Sequence, residues 1–162
     1  MLDIIYKTAI TEKDFDTGKQ LFREYSDSLR VDLSFQDFEK ELSTIQTQYN
    51  APNGCLFLVF DGDQAIGCAG VRKLDGETAE LKRMYVKDGY RGLKIGVHLL
   101  ERCIEKSGEL GYKKMRLDTL ASMTRAQELY RSFGFYEISS YRFNPLEGTV
   151  YMEKVLAPSA KA

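Results

Sequence analysis

Hydrophobic and polar positions repeat with two different periods along this chain, and the changes of period mark the secondary-structure elements. Short apolar runs between turn residues, such as CLFLVF at 55–60, are typical of buried strands. Apolar residues spaced three or four positions apart, such as Leu93, Val97 and Leu100, indicate one face of a helix. Turns such as DGDQ at 61–64 separate consecutive strands.

These patterns predict an ordered series of strands and helices. The predicted strands cover residues 2–10, 55–60, 65–74, 79–86, 113–120, 135–143 and 149–156. The predicted helices begin at Thr11, at Ser34, near residue 92 and at Ser122. The strand–helix–strand crossover over 79–120 requires a parallel pair, whereas the remaining strands are expected to pair antiparallel. We therefore expect an α/β fold with a mixed, mostly antiparallel sheet of about six to seven strands and helices on both faces.

Length and charge limit the function classes. The chain has 162 residues, which favours one domain over 1–162 with a frayed tail at 157–162. Lys and Arg number 23 and Asp and Glu 24, a net charge of −1, whereas nucleic-acid binders usually carry a basic excess. No apolar run approaches the ~18 residues of a membrane-spanning helix, and the N-terminal MLDIIYKTAI has no signal-peptide pattern. We therefore expect neither a nucleic-acid nor a membrane partner.

The cysteines and the single histidine form no recognisable metal motif. Cys55, Cys68 and Cys103 contain no CxxC pair, and an odd number of thiols without metal spacing is typical of buried cysteines in a reducing compartment. His98 lies in a helical pattern, where surface or half-buried packing is the simplest interpretation. A Cys–His nucleophile stays open on residue identity alone. We expect a cytoplasmic protein without a metal ion.

The segment YRGLKIGVHLLE at 90–101 combines bare backbone and positive charge where a helix is predicted to begin. The first N–H groups of a helix have no internal partner, and the helix dipole adds about half a positive charge there. Glycine lets a ligand approach such amides closely, and Arg91 and Lys94 add full charges. The glycines lie at 89, 92 and 96, which excludes a Walker loop and GxGxxG. A diphosphate site and an ordinary surface helix start both fit this pattern.

Two further motifs flank this segment. AELKRMYV at 79–86 precedes it, Arg91 to Gly96 reads RGLKIG, and RAQELYRSFGF at 125–135 follows. In this order the three motifs resemble the GNAT superfamily of N-acetyltransferases, whose signature is Arg or Gln, two residues, Gly, one residue, then Gly or Ala. The outer motifs resemble the fourth strand of that family and its last helix. The resemblance covers nearly the whole chain and agrees with the predicted element order.

The resemblance implies that the chain binds acetyl-CoA as a co-substrate. In the family the fourth strand usually has a bulge and splays from the fifth, which opens a slot for the cofactor. The backbone groups of Met84, Tyr85 and Val86 would then hydrogen-bond the pantetheine arm. The diphosphate would be held by the signature residues Arg91, Gly92, Leu93, Lys94, Ile95 and Gly96.

Two positions depart from the family pattern. Lys94 stands where the family usually has its first motif glycine, and since a helical φ is open to lysine we expect it to be tolerated. Met123 stands where many members have Asn, seven residues before the tyrosine. A polar contact near the cofactor is therefore expected to be missing.

Acetyl transfer to an amine needs a base, donors for the oxyanion and an optional acid for the leaving thiolate. Glu80 is the candidate base, because it matches a glutamate that serves as base in some relatives. The alternative for Glu80 is a strand glutamate that faces Lys82 or solvent. Tyr130 is the candidate acid, and its alternative is a core tyrosine at helical spacing.

The leading hypothesis is an N-acetyltransferase that acts on a small-molecule amine by direct transfer in a ternary complex. The alternatives are a non-catalytic acyl-CoA-binding module of the same fold and an interaction domain without a ligand. The acceptor is expected between residues 25–49 and 141–149, where Arg30, Arg125 or Arg142 could bind a carboxylate, although solvated arginines are the simpler interpretation. A homodimer is compatible with this hypothesis.

Overall fold

The computed structural model describes residues 2–29, 37–142, 144 and 146–157, and within them it forms one mixed sheet covered by helices. The strands are β1 (Ile4–Thr8), β2 (Cys55–Asp61), β3 (Gln64–Lys73), β4 (Thr78–Val86), β5 (Lys114–Thr119), β6 (Tyr136–Ile138) and β7 (Val150–Val155). The helices are α1 (Glu12–Leu29), α2 (Phe38–Ser43), α3 (Ile45–Gln48), α4 (Ile95–Glu109) and α5 (Thr124–Ser132).

The strand order in the sheet is β1-β2-β3-β4-β5-β7-β6, a total of seven strands in the described residues. β4 and β5 pair in parallel, and the other neighbours pair antiparallel. The predicted fold class and its single parallel crossover, which runs through α4, are confirmed.

Several predicted elements differ in their bounds, among them the second helix, the sixth strand and α4. The predicted start of the second helix at Ser34 lies outside the described residues, and the helix breaks at Thr44, whose hydroxyl donates to the Lys40 carbonyl at 2.7 Å. The predicted strand 135–143 shortens to β6, because Tyr141 and Arg142 leave the sheet and bond to Glu80. α4 begins at Ile95 rather than near residue 92.

The start of α1 agrees with the prediction at Thr11. The Thr11 hydroxyl accepts from the Asp14 amide at 3.1 Å, while Asp14 Oδ2 accepts from the amides of Thr11 at 3.1 Å and Ile10 at 2.9 Å. Lys7 Nζ lies 2.9 Å from the other Asp14 oxygen. This reciprocal cap fixes the entry of α1 from β1.

Side chains of the central strands alternate between two hydrophobic cores. Cys55, Phe57 and Val59 of β2 join the core under α4 and α5, whereas Leu56 and Leu58 join the core under the early helices. The first core includes Ile95, Leu99, Cys103 and Tyr130, and the second includes Phe15, Phe22, Ile45 and Tyr49. Helices therefore cover both faces of the sheet, as predicted.

Candidate functional site

A β-bulge at Arg83 redirects β4 in the middle of the sheet. Cys68 of β3 pairs with Tyr85, but Gly70 pairs with Lys82, so the β4 strand contains one extra residue at this point. Arg83 has a left-handed φ of 57°, a conformation that non-glycine residues rarely adopt. The bulge therefore interrupts regular pairing directly after the Gly70–Lys82 pair.

β4 and β5 separate beyond a short paired stretch. Their parallel pairing is limited to Thr78–Glu80 against Lys114–Arg116. A cavity of about 970 Å³ opens beyond Glu80 and is lined by the second half of β4, the start of α4, the end of β5 and the first part of α5. The bulge and the splay expected from the family resemblance are both present.

The first turn of α4 faces this cavity with uncapped amides. The first hydrogen bond into the helix runs from the His98 amide to the Lys94 carbonyl at 3.1 Å, so the amides of Ile95, Gly96 and Val97 precede it. No side chain caps this helix terminus in the described part of the chain. The dipole and the bare N–H groups together make this end of the cavity attractive for an anion.

Lys94 and Gly96 differ in what their backbone requires. Lys94 has φ 62° and ψ 22°, so the expectation of a helical φ at this position is wrong. The chain enters α4 through Lys94 in a left-handed conformation, which glycine adopts at lower cost. Gly96 is helical, and a Cβ built on it meets no atom within 4 Å. Packing within the protein therefore gives no reason for glycine at position 96.

Cationic side chains surround the same end of the cavity. Arg91, Lys94 and Arg125 all line it. Arg91 is mainly exposed and pairs with Asp88 at 3.3 Å, one turn earlier. Such an exposed pair is weak, so its guanidinium can exchange Asp88 for a ligand phosphate at little cost.

The structure brings most of the predicted cofactor-binding residues together around the cavity. The residues that line it are Met84, Tyr85, Val86, Arg91, Gly92, Lys94, Ile95 and Gly96. Leu93 is absent from this wall and has an exposed side chain. Met123 also lines the cavity, and its sulfur lies 3.6 Å from the Thr119 hydroxyl.

Tyr130 of α5 reaches the cavity from the core. It is 7% exposed, packs edge-on against Phe135 with ring centroids 5.8 Å apart, and belongs to the core under α4. Burial raises the pKa of its hydroxyl, and the nearby Tyr25 and Cys103 add to this shift. Tyr130 is therefore both a core residue and a protonated hydroxyl at the cavity wall.

Glu80 lies outside the cavity wall in a buried ion-pair cluster. Oε1 accepts from Arg72 Nε at 3.0 Å, and Oε2 accepts from the Tyr141 hydroxyl at 2.8 Å and from Arg142. Burial favours the neutral acid, but the charges of Lys82, Arg72 and Arg142 outweigh it and lower the pKa of Glu80 to about 2. The solvent-facing interpretation of Glu80 is wrong, and so is the solvated interpretation of Arg142.

Asp118, at the end of β5, is a candidate that the sequence pattern does not single out. It lines the cavity, and its Oδ2 is buried without a hydrogen bond from any described residue. Arg142 Nε lies 3.9 Å away and is also without a hydrogen bond there. Asp118 alternates with buried Leu117 and Thr119 along β5, so the sequence alone indicates a solvent-facing position.

A second, small pocket of about 30 Å³ adjoins the large cavity. Both cavities are lined by Tyr25, Leu29, Arg83, Asp118 and Thr119, and the small one is closed by Asn144, Leu146 and Thr149. It therefore lies between the end of α1 and the segment before β7, where the acceptor was predicted. The predicted residue Arg30 lies outside the described residues.

Two buried cations of β4, Lys82 and Arg83, line the large cavity, and Arg83 also lines the small one. Arg83 donates from Nε to Glu41 Oε2 at 3.1 Å and from Nη2 to Oε1 at 2.7 Å, and Tyr49 donates to Oε2 at 2.7 Å. Burial lowers the pKa of Lys82 to about 8, with Arg83 acting in the same direction and Glu80 and Asp118 opposing it. The sequence pattern missed this cluster because its members come from separate elements.

The three cysteines and His98 lie where the sequence patterns place them. The three cysteines are buried and unpaired, and burial raises the pKa of each thiol. His98 is exposed and lies 3.4 Å from Glu101. Among the described residues no group of three or more His, Cys, Asp or Glu side chains could hold a metal ion. None of the helices described here has the length and apolar character that crossing a membrane requires.

Comparison with known proteins identifies the family. Residues 19–135 match the model of the Acetyltransferase (GNAT) family. An uncharacterized N-acetyltransferase of Schizosaccharomyces pombe is 39% identical over 142 residues, which cover 86% of this chain and 87% of the relative. An uncharacterized N-acetyltransferase of Dictyostelium discoideum is 28% identical over 213 residues, covering 94% of this chain and 99% of the relative.

Solved structures show the same architecture. A GNAT-family acetyltransferase of Staphylococcus aureus superposes with a TM-score of 0.77 at 26% identity, covering 96% of this chain and 100% of its own. A Salmonella typhimurium structure that contains its cofactor acetyl-CoA superposes with a TM-score of 0.69 at 17% identity, covering 97% of this chain and 96% of its own. The family model, the relatives and the fold agree with the resemblance of the three sequence motifs. This chain is a member of the GNAT family of acetyltransferases.

Proposed function

We propose that this protein transfers the acetyl group of acetyl-CoA to the amine of a small molecule, by direct transfer while both substrates are bound. The observation that carries the proposal is the cavity between β4 and β5, which joins an uncapped helix terminus at one end to Tyr130 and Asp118. An acetyl thioester supplied by acetyl-CoA is the electrophile that such a site requires. The protein supplies binding, orientation and proton transfer.

The residues present fit a diphosphate at the start of α4. The amides of Ile95, Gly96 and Val97 precede the first helical hydrogen bond, and Arg91 and Lys94 add charge beside them. Glycine in a helix costs up to about 1 kcal/mol relative to alanine. Because no atom of the protein occupies the space beside Gly96, close approach of a ligand to the backbone explains this glycine.

The pantetheine arm would lie along the second half of β4. Beyond the bulge, Met84, Tyr85 and Val86 line the cavity on the side that β5 has left. Backbone groups on the open side of a strand can bond an extended ligand as an added strand would. Lys94 and Met123, the two departures from the family pattern, do not block the cavity, because both are part of its wall.

Two side chains are suited to the chemistry. Tyr130 carries a proton at neutral pH and can give it to a departing thiolate. Asp118 Oδ2 is a buried acceptor that no described group satisfies, so it can receive the ammonium of the acceptor and orient it. Both groups line the same cavity, which allows the amine and the thioester to meet without a covalent enzyme intermediate.

Glu80 as the general base stays a prediction. Its pKa of about 2 makes the carboxylate a poor proton acceptor at neutral pH, and its oxygens already accept from Arg72, Tyr141 and Arg142. These contacts favour a positioning role for Glu80. We also retain a cytoplasmic location, which suits the three buried thiols, and a homodimer as proposals.

Thermal unfolding with coenzyme A and with pantetheine tests the binding proposal. Coenzyme A at about a hundredfold over its Kd should stabilise the fold by ~2.7 kcal/mol. Pantetheine lacks the diphosphate and should stabilise it far less, because the α4 terminus then has no ligand. No shift with saturating coenzyme A would contradict the proposed site.

A thiol-release assay tests the reaction. The panel comprises amino acids, amino acid amides, aliphatic polyamines and aromatic amines, each with acetyl-CoA. Turnover of one class supports N-acetyl transfer and names the acceptor. A full coenzyme A shift with no turnover across the panel would instead indicate an acyl-CoA-binding module of the same fold.

A further inference from the structure

The ion-pair cluster around Glu80 links the sheet to the segment that closes the small pocket. Glu80 is fully buried in β4 and pairs with Arg72 of β3, its cross-strand neighbour. The other side of the same carboxylate receives Tyr141 and Arg142, which are 61 and 62 residues away in sequence. Arg72 Nη1 extends the cluster to Gln48 Oε1 of α3 at 2.9 Å.

Tyr141 and Arg142 belong to the acceptor loop, defined as the described residues between β6 and β7 (139–142, 144 and 146–149). Asn144, Leu146 and Thr149 of this loop wall the small pocket opposite Asp118. Only the Glu80 carboxylate holds both Tyr141 and Arg142 by hydrogen bonds among the described side chains. Glu80, which lies outside both cavities, thus bonds to the loop that supplies this pocket wall.

The same carboxylate places a cation beside Asp118. Arg142 gives Nη2 to Glu80, and its Nε lies 3.9 Å from Asp118 Oδ2. This distance is too long for a hydrogen bond but short enough for electrostatic attraction between the two groups. Asp118 Oδ2 thus keeps its acceptor capacity while the charge of Arg142 stabilises it.

Other charged and titratable groups also face Asp118. They are Lys82 of β4, Tyr25 of α1, Tyr130 of α5 and Tyr141 of the acceptor loop. Lys82 is a second cation near Asp118 and stays in place when Arg142 is removed.

We propose that Glu80 is a positioning residue that fastens the acceptor loop to the sheet and holds Arg142 beside Asp118, so that it governs binding of the acceptor amine rather than proton abstraction. The inference rests on the proposed acetyl transfer, because it assigns the small pocket to the acceptor. Acetyl-CoA binding is unaffected by this role, since Glu80 does not line the large cavity.

The first test compares Glu80→Gln with Asp14→Asn by hydrogen exchange. Asp14 is a buried carboxylate paired with Lys7 at the far end of α1, so Asp14→Asn controls for general destabilisation. Exchange in the acceptor loop should rise in Glu80→Gln and stay unchanged in Asp14→Asn. Equal exchange of this loop in the wild type and Glu80→Gln would overturn the proposal that Glu80 fastens it to the sheet, whether or not any amine is turned over.

The second test is kinetic and uses the panel amine with the highest turnover. Glu80→Gln should raise the KM for this amine by about tenfold or more, while kcat and the KM for acetyl-CoA change much less. Arg142→Gln should raise the same KM, and Arg142→Lys, which keeps the positive charge, should restore it in part. A loss of about 10²-fold in kcat for Glu80→Gln, with the acidic limb gone, would identify Glu80 as the base and overturn the inference.

If Glu80→Gln fails to fold, variants of its partners in the acceptor loop keep the test decisive. Tyr141→Phe and Arg142→Gln remove the contacts from the partners of Glu80 and should each raise the amine KM. An unchanged amine KM in both would contradict the inference. If the wild type shows neither turnover nor a melting shift with coenzyme A, the proposed function is wrong. Hydrogen exchange would still decide whether Glu80 fastens the acceptor loop.

Discussion

Arg83 and Glu41 join the early helices to the point where the sheet opens. The guanidinium donates to both carboxylate oxygens, at 3.1 and 2.7 Å, and both side chains are at least nine-tenths buried. Arg83 is also the left-handed residue of the β4 bulge. Although burial opposes it, the Arg83 charge holds the pKa of Glu41 below its usual value. The pair therefore fixes α2 against the strand feature that makes the cavity.

Removal of Glu41 should strongly destabilise the protein. Glu41→Ala leaves the Arg83 charge buried without this partner and removes the acceptor of the Tyr49 hydroxyl. We expect a loss of about 3–5 kcal/mol in the free energy of unfolding, measured by urea denaturation. The coenzyme A melting shift should also shrink, because the bulge loses its support.

Glu39→Ala is the matched control on the same helix. Glu39 pairs with Arg23 at 3.4 Å, and both side chains are more than half exposed. An exposed pair contributes at most about 1 kcal/mol, so this variant should unfold close to the wild-type midpoint. Similar losses for the two variants would show that burial of the Glu41–Arg83 pair is not what stabilises the helix.

The fold was predictable because its local signals agree. The apolar runs of β2 and β3, the turns between them and the helical stripe of α4 each predict an element that is present. β6 is the exception, since its sequence favours a longer strand. The side chains of Tyr141 and Arg142 find a buried carboxylate, and this tertiary contact outweighs strand propensity.

The candidate site was predictable only where one contiguous motif carries it. RGLKIG and ELY indicate the helix terminus and Tyr130, and both line the cavity. The left-handed φ of Lys94 was not predictable, because lysine does not signal it. Asp118 and the partners of Glu80 come together only in three dimensions, from strands and a loop far apart in sequence. No local pattern reports such a cluster.

Gly96→Ala should separate stability from cofactor binding. Alanine is the better helix former, and a Cβ at this position meets no protein atom within 4 Å, so stability should rise by up to about 1 kcal/mol. With the diphosphate bound as proposed, the added methyl should crowd it at these amides. We therefore expect a higher melting temperature without ligand and a smaller coenzyme A shift.

Gly108→Ala provides the control near the other end of α4. A Cβ there reaches only ordinary contact with the Ala157 carbonyl at 3.9 Å, and Gly108 does not line the cavity. This variant should gain similar stability and keep the full coenzyme A shift. If Gly96→Ala also keeps the full coenzyme A melting shift, the diphosphate does not bind at the free amides of the α4 start.

Stability should fall in acid as the Asp14 cap is protonated. Burial would raise the pKa of Asp14, but hydrogen bonds from Lys7 and from the amides of Ile10 and Thr11 lower it to about 2. The unfolded value is about 3.9, so the contribution is fully present above pH 4 and is lost as the pH falls towards 2. The urea midpoint of Asp14→Asn should be lower than that of the wild type at pH 6 and approach it near pH 2. A constant difference between these pH values would mean that the ionised form of Asp14 adds nothing to the cap.

Tyr130→Phe should slow turnover and leave cofactor binding intact. Burial raises the pKa of the hydroxyl, so it is protonated at the cavity wall and available as a proton donor to the leaving thiolate. Removing a general acid costs about 10²-fold or more in kcat, whereas the ring that packs against Phe135 is unchanged. The coenzyme A melting shift should therefore equal that of the wild type.

Tyr112→Phe is the control for this variant. Tyr112 lies in the same core and is buried to nearly the same extent, at 8% exposed against 7% for Tyr130. Its hydroxyl donates to the Asn53 carbonyl, away from the cavity. Equal kcat for Tyr130→Phe and Tyr112→Phe would reduce Tyr130 to a packing residue, and the leaving thiolate would then have to take its proton from solvent.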